Sequence, residues 1–125
     1  NKTDLFDIVC QTEADRIPDV LNVVYCMLTS KQISDIIQYH VKEEKKLETL
    51  YKSCYKLDSA TISDLIKYSI PDDQKEQALI SLQNRIKSNN IGEILQFCVR
   101  TTNALRKVQH NLEPEDAEFL KNEIK

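Results

Sequence analysis

The chain has 125 residues, a mass of 14.5 kDa and a net charge of −3, with 41% hydrophobic and 30% charged residues. That suits one folded domain with its own core and not a disordered chain. The acidic balance argues against broad nucleic-acid binding, which rests on many uncompensated Lys and Arg, and no apolar run approaches the ~20 residues of a membrane span.

One glycine and three prolines argue against β-meanders and Gly-rich phosphate loops, while Leu, Ile, Glu, Lys and Gln favour helices. The expectation is an all-α chain of about seven helices. Helix 1 is predicted from Asp4 to Gln11 with Thr3 as cap, and helix 2 from Pro18 to Leu28, with Pro18 in the first turn. Thr29-x-x-Gln32 is a capping-box pattern that opens helix 3. From Ile33 an apolar stripe runs through Ile36, Ile37, Val41, Leu47 and Leu50, which predicts one long helix to about Tyr55 with a frayed or bent end, the alternative being a bend in the charged run Lys42–Lys46.

Asp58 or Ser59 caps a short helix 4 with Ile62, Leu65 and Ile66 inward. Helix 5 follows Pro71 with Asp73-x-x-Glu76 as a second capping box, and ends at Asn89 or Asn90 through the left-handed geometry Asn tolerates. Helix 6 opens with Asn90-x-x-Glu93 and runs to about His110, and helix 7 runs from Pro114 to Ile124.

The stretch "ISDIIQYHVKEEKKLETL" (Ile33–Leu50) returns further along the chain as "IGEILQFCVRTTNALRKV" (Ile91–Val108), aligned without a gap. Shared apolar period alone is cheap, but Gln38/Gln96 and Lys42/Arg100 also coincide on the polar side. The register extends to Leu21/Leu79, Val24/Leu82, Ile62/Leu120 and Ile66/Ile124. Repetition of this kind reads as stacking units, each covering the apolar side of the next. The expected organisation is a single domain over 1–125, with unit one at about 3–57, unit two at about 59–111 and a terminal helix at about 114–125. A short helix followed by a longer antiparallel pair resembles armadillo-like α-solenoid repeats. That resemblance implies a right-handed α-α superhelix built from two tandem three-helix units plus the terminal helix. A compact bundle around a helix apolar on all sides is disfavoured, because every predicted helix keeps a charged side.

The chemistry of sites is thin. Cys10, Cys26, Cys54 and Cys98 form no Cys-x-x-Cys pair and fall on or near apolar helix sides, which reads as reduced thiols in a cytoplasmic or nuclear compartment. His40 with Glu44 lacks a third ligand and leans toward the apolar stripe, and His110 stands at a helix end. The acid pairs Asp72/Asp73 and Glu115/Asp116 occupy first helical turns, where their charge already has a use. No catalytic residue, cofactor or metal is expected. Asn1-Lys2-Thr3 matches a glycosylation sequon, and a start without Met suggests a processed protein or a piece of a longer one.

On a helical wheel, Gln38, Lys42, Lys45 and Thr49 lie opposite the core, and Gln96, Arg100, Asn103 and Lys107 repeat them in the second copy, with Tyr39 and Phe97 on the flank. In the solenoids the chain resembles, the last helix of each unit lines a concave groove. The functional expectation is therefore a protein–protein interaction module without enzyme activity. It would hold an acidic or extended segment of a protein partner on Gln38, Tyr39, Lys42, Lys45, Gln96, Phe97, Arg100, Asn103 and Lys107. Two alternatives stand beside it. One is a structural subunit of a larger helical scaffold, stacked on further repeats of a longer parent chain. The other is an RNA-binding helical repeat, helped by Lys42, Lys45, Lys46, Arg100, Arg106 and Lys107 and opposed by the acidic total.

Overall fold

A computed structural model describes the backbone of residues 2–124 and side chains from Leu5 to Ile124. Asn1 of the sequon lies outside the described residues. Among the described residues there are no strands and nine α-helices, not about seven: α1 (Lys2–Gln11), α2 (Ile17–Val24), α3 (Ser30–His40), α4 (Lys46–Ser53), α5 (Ser59–Tyr68), α6 (Asp72–Leu82), α7 (Ser88–Phe97), α8 (Thr102–Val108) and α9 (Pro114–Glu123). The two extra helices come from the two long elements. Helix 3 breaks after His40 and helix 6 breaks after Phe97.

Nothing in the local composition forces these breaks. At the first one Val41 (φ −93°, ψ 137°) and Lys42 (φ −63°, ψ 147°) are simply extended, a conformation open to any residue. The same closure is made each time. The backbone N–H groups of Val41, Ile70 and Val99 donate to the carbonyls of Ile36, Leu65 and Ile94 at 3.1, 2.9 and 2.8 Å. All three aliphatics are buried, so the core pins each corner that the backbone turns.

Once the breaks are in place, the period halves. Ser30, Ser59 and Ser88 begin α3, α5 and α7 at equal intervals, and the offset between the two echoing stretches is two such steps. Each step is an antiparallel pair, a first helix and a second helix, so each of the two expected units holds four α-helices. The second helices end in a 3₁₀ turn and an extended, buried aliphatic: Leu28, Leu57, Ile86 and Leu112. The last of these comes early in the register, because the path from the corner at Val99 through α8 is shorter than its counterparts.

Contacts run in two rows. The first helices touch in the order α1, α3, α5, α7, α9, and the second helices in the order α2, α4, α6, α8, while each pair also closes on itself. One apolar cluster threads the rows, from Val9 through Ile36, Leu50, Leu65, Leu79 and Ile94 to Ile124. The hydroxyl at the start of each first helix stitches neighbouring pairs. Ser59 Oγ donates to Asn90 Oδ1 (2.6 Å) and accepts from the Lys87 N–H (2.8 Å). Ser88 Oγ donates to Asp116 Oδ2 (2.9 Å) and accepts from the Glu113 N–H (2.8 Å).

The expected caps divide. The Thr29/Gln32 capping box is present, and Asp58 accepts from the Thr61 N–H at 2.8 Å. Pro114 opens α9. Thr3, in contrast, lies inside α1, and the Asp73/Glu76 box is absent because α6 starts at Asp72 behind Pro71. The left-handed exit at Asn89 or Asn90 is absent too: among the described residues no non-glycine φ is positive, and Asn90 sits inside α7. Thr101 caps α8 through the Ala104 N–H at 3.1 Å, a cap that a continuous helix 6 had no place for.

Two lysines are buried. Lys75 Nζ donates to the carbonyls of Ile66, Lys67 and Ile70 at 3.0, 2.7 and 2.9 Å, with Asp72 at 3.5 Å. Lys46, at the end of the charged run, occupies the same place one pair earlier and donates to the Gln38 carbonyl at 3.2 Å. The last carbonyls of a helix have no intrahelical partner, and an ammonium there meets both that need and the negative helix end. In the shortened fourth pair the loop residue Arg100 takes over, donating to the Gln96 carbonyl at 3.0 Å.

Replacing Lys75 by Ala should cost about 2 kcal/mol, since buried carbonyls lose their donor, and Lys46→Ala about half of that; urea unfolding of both variants checks the order. Asp58 supplies a pH dependence. Its hydrogen bonds to the Thr61 side chain and backbone hold its carboxyl below the usual carboxylate range. The stability from this group is therefore complete above its unfolded pKa and is lost as pH falls through the lower folded value. Asp58→Asn should flatten the acid limb of a stability-versus-pH curve while leaving neutral stability within ~0.5 kcal/mol, because Asn still caps.

Candidate interaction surface

The residues expected to form one helical surface lie on three kinds of element. Gln38 and Tyr39 belong to the last turn of α3, Lys42 to the corner, and Lys45 to the 3₁₀ turn before α4. In the fourth pair Gln96 and Phe97 end α7, Arg100 is in the corner, and Asn103 and Lys107 are on α8. Thr49, expected opposite the core, is buried and donates to the Lys45 carbonyl at 2.8 Å. The wheel placed it outside because it assumed one continuous axis from Ile33, and the corner at Val41 resets that phase.

Most of the cations at this edge are already engaged. Lys42 pairs with Asp15, whose hydrogen bond and charge hold its ammonium pKa above the usual lysine value. Lys45 has Glu48 at 3.7 Å. Arg100 donates to the carbonyls of Gln96 and Glu123, and Asn103 accepts from Arg106 at 3.2 Å. Lys107 is exposed near the end of α8. Gln38 and Gln96 are half-buried, and Gln96 lines a cleft of about 230 Å³ between α7 and α9 together with Phe119.

The aromatic members behave differently. Tyr39 and Phe97 are each 70% exposed, at equivalent places in α3 and α7. Midway between them in the sequence, on α5, stands Tyr68, 74% exposed. Because α3 touches α5 and α5 touches α7, the three rings form a row along one edge of the first-helix layer. Lys67 lies over the Tyr68 ring at 5.5 Å from its centroid, within the range of a cation–π contact, and it is also 3.5 Å from Asp64 and from Glu93. Sequence reasoning missed Tyr68 although a signal existed: "ISDIIQY" (Ile33–Tyr39) and "ISDLIKY" (Ile62–Tyr68) differ only at Ile36/Leu65 and Gln38/Lys67.

The remaining candidates for chemistry stay apart. His40 is half-buried at the end of α3, His110 is exposed, and among the described residues no three His, Cys, Asp or Glu side chains gather as metal ligands. All four cysteines are free. Cys54 is buried and Cys10 and Cys98 half-buried, but Cys26, expected on an apolar side, is exposed in the 3₁₀ turn after α2. Burial pushes the thiol pKa of Cys54 up, and burial with Asp7 and Asp35 does the same for Cys10. Asp72 and Asp73 are exposed in the first turn of α6, and Asp116 accepts from Ser88. No described helix is long and apolar enough to cross a membrane.

No protein-family model matches this chain, and no curated protein or solved structure shows significant similarity to it.

Exposure ranks the tyrosines. Mild nitration followed by peptide mass spectrometry should modify Tyr39 and Tyr68 well before Tyr51, whose ring is half-buried between α4 and α6 and whose hydroxyl is enclosed. Equal modification of all three would contradict the exposed row.

Proposed function

We propose that the chain is a non-catalytic α-solenoid module, its helix pairs winding as a right-handed α-α superhelix, that binds an extended segment of a protein partner. The row Tyr39–Tyr68–Phe97 carries this reading. One exposed aromatic is ordinary, but three rings at the same repeat position on helices in mutual contact form a track along one edge. Rigid aromatic side chains are the usual anchors of interfaces, because they bury much apolar area at low entropic cost. The position after each corner, held by Lys42, Pro71 and Arg100, flanks the track with polar or stiff residues. A segment in extended conformation matches a track of this kind because its alternate side chains can lie between successive rings.

In this proposal the cations contribute less than the sequence pattern suggests, since Lys42, Lys45 and Arg100 have intramolecular partners. The partner is an extended segment with apolar anchors more than an acidic one. A reducing cytoplasmic or nuclear setting fits the four free thiols.

The triple variant Tyr39→Ala, Tyr68→Ala, Phe97→Ala tests the proposal. Exposed rings contribute little to folding, so the melting temperature should stay within ~2 °C of the parent. Partner capture from a source lysate, quantified against the parent chain, should fall at least tenfold, while Lys42→Glu changes it little. Unchanged capture by the triple variant sinks the proposal.

A further inference from the structure

The two rows of helices end differently from how they run. In the last three pairs, certain positions are buried that the first pair leaves open. Ile36, Leu65 and Ile94 are fully or almost fully buried in their first helices; the same holds for Thr49, Ala78 and Ala104, and for Ser53, Leu82 and Val108, in their second helices. In the first pair the corresponding residues are Ile8, with α1 slipped by one position, and Val20 and Val24. Ile8 is 59% exposed, and both valines are only half-buried.

The residue just before the last aliphatic of each pair makes the comparison sharper. In the second pair it is Lys56, whose Nζ donates back to the Cys26 carbonyl at 3.2 Å. In the third it is Arg85, stacked over the Tyr55 ring at 3.9 Å. In the fourth it is Asn111, donating back to Gln83 Oε1 at 2.7 Å and Asn84 Oδ1 at 3.2 Å. Three different side chains thus reach backward to the 3₁₀ turn of the preceding pair. In the first pair this position is Met27, 57% exposed, with an apolar side chain where the others are polar.

We infer that the face of α1 and α2 turned away from α3 and α4 is an interface, completed by another helix pair of this repeat type, whose 3₁₀ turn offers an aromatic or apolar contact to Met27. The occupant follows from continuity: the face repeats the positions of three junctions within the chain, and at each of those the cover is a helix pair. Met27 in place of Lys, Arg or Asn fits a turn carrying a ring, because thioether sulfur packs favourably at aromatic edges. Adding such a pair would bury Ile8, Val20, Val24 and Met27 together, the nearest-neighbour gain that stabilises stacked repeats. The inference does not depend on what the aromatic row binds, because the two surfaces share no residue.

The experiment extends the full chain by a copy of Ser30–Asp58 placed directly before residue 1, in the register of the repeat, so that a copy of Tyr55 meets Met27. Thermal melting and amide hydrogen exchange are compared with and without the extension, each with Ile8→Asp and Met27→Asp. The extended protein should melt in one transition about 5 °C higher, with exchange in α1 and α2 slowed about tenfold. Both substitutions should be nearly silent in the unextended chain, where these side chains face water, and should cancel the gain in the extended one. If the added pair melts separately and the substitutions are silent in both proteins, the inference is overturned. It is equally overturned if sedimentation shows the unextended chain forming a dimer that Ile8→Asp dissociates, since a second copy would then be the occupant.

Discussion

A single helix pair of this chain has too little apolar surface to fold alone, and the seam between successive pairs supplies what it lacks. The seam is made of aliphatics at fixed places: Ile33, Ile62 and Ile91 early in the first helices, Leu50, Leu79 and Leu105 in the second. The order of the helices follows from it. Each of α3, α5 and α7 lies between two others of its kind, which covers its buried isoleucines and produces two rows and not a bundle around one central helix. The serine stitches at Ser59 and Ser88 then fix the register, because each hydroxyl both donates to and accepts from the following pair.

The corners depend on the same seam. With one glycine in the chain, a left-handed residue is not available to end each first helix, and Gly92 lies inside α7. The chain turns instead with extended residues at Val41, Lys42 and Pro71 and a backbone closure reaching back one residue further than the helical bond, and it satisfies the last carbonyls with a cation. Lys46, Lys75 and Arg100 reach equivalent carbonyls by different routes, one a shorter loop. An ammonium buried in this way is a helix cap that happens to carry charge, and it removes Lys46 from the basic residues that would help an RNA-binding surface.

What stays exposed is what the seam does not use. The aromatic row projects from the ends of α3, α5 and α7, at the one place in each first helix where the core turns away and the corner begins. The ends of the rows are different surfaces. The exposed residues of α9 include Glu115, Glu118, Lys121 and Phe119, whereas α1 and the 3₁₀ turn after α2 expose Ile8 and Met27. On the inference above, the end at α1 and α2 is built like an internal junction.

Helix type, the capped starts at Thr29 and Asp58, the proline start at Pro114 and most core positions were written in the sequence, because apolar period and capping chemistry act within a few residues. The echo of Ile33–Leu50 in Ile91–Val108 was visible too, since identical polar residues at Gln38 and Gln96 exceed what shared period requires. The halving of that period was not, although Ile33–Tyr39 and Ile62–Tyr68 nearly coincide. Ile37, Val41 and Leu47 continue a helical stripe as well through a corner as through a straight helix, and no Gly or Pro marks the turn. Only tertiary packing decides between those two paths: the corner lets α4 fold back beside α3 and places Leu47, Thr49 and Leu50 in the core, which a straight helix would carry away from it. That same choice put Thr49 and Lys46 inside, left Tyr68 outside in line with Tyr39 and Phe97, and so determined which residues are available to meet a partner.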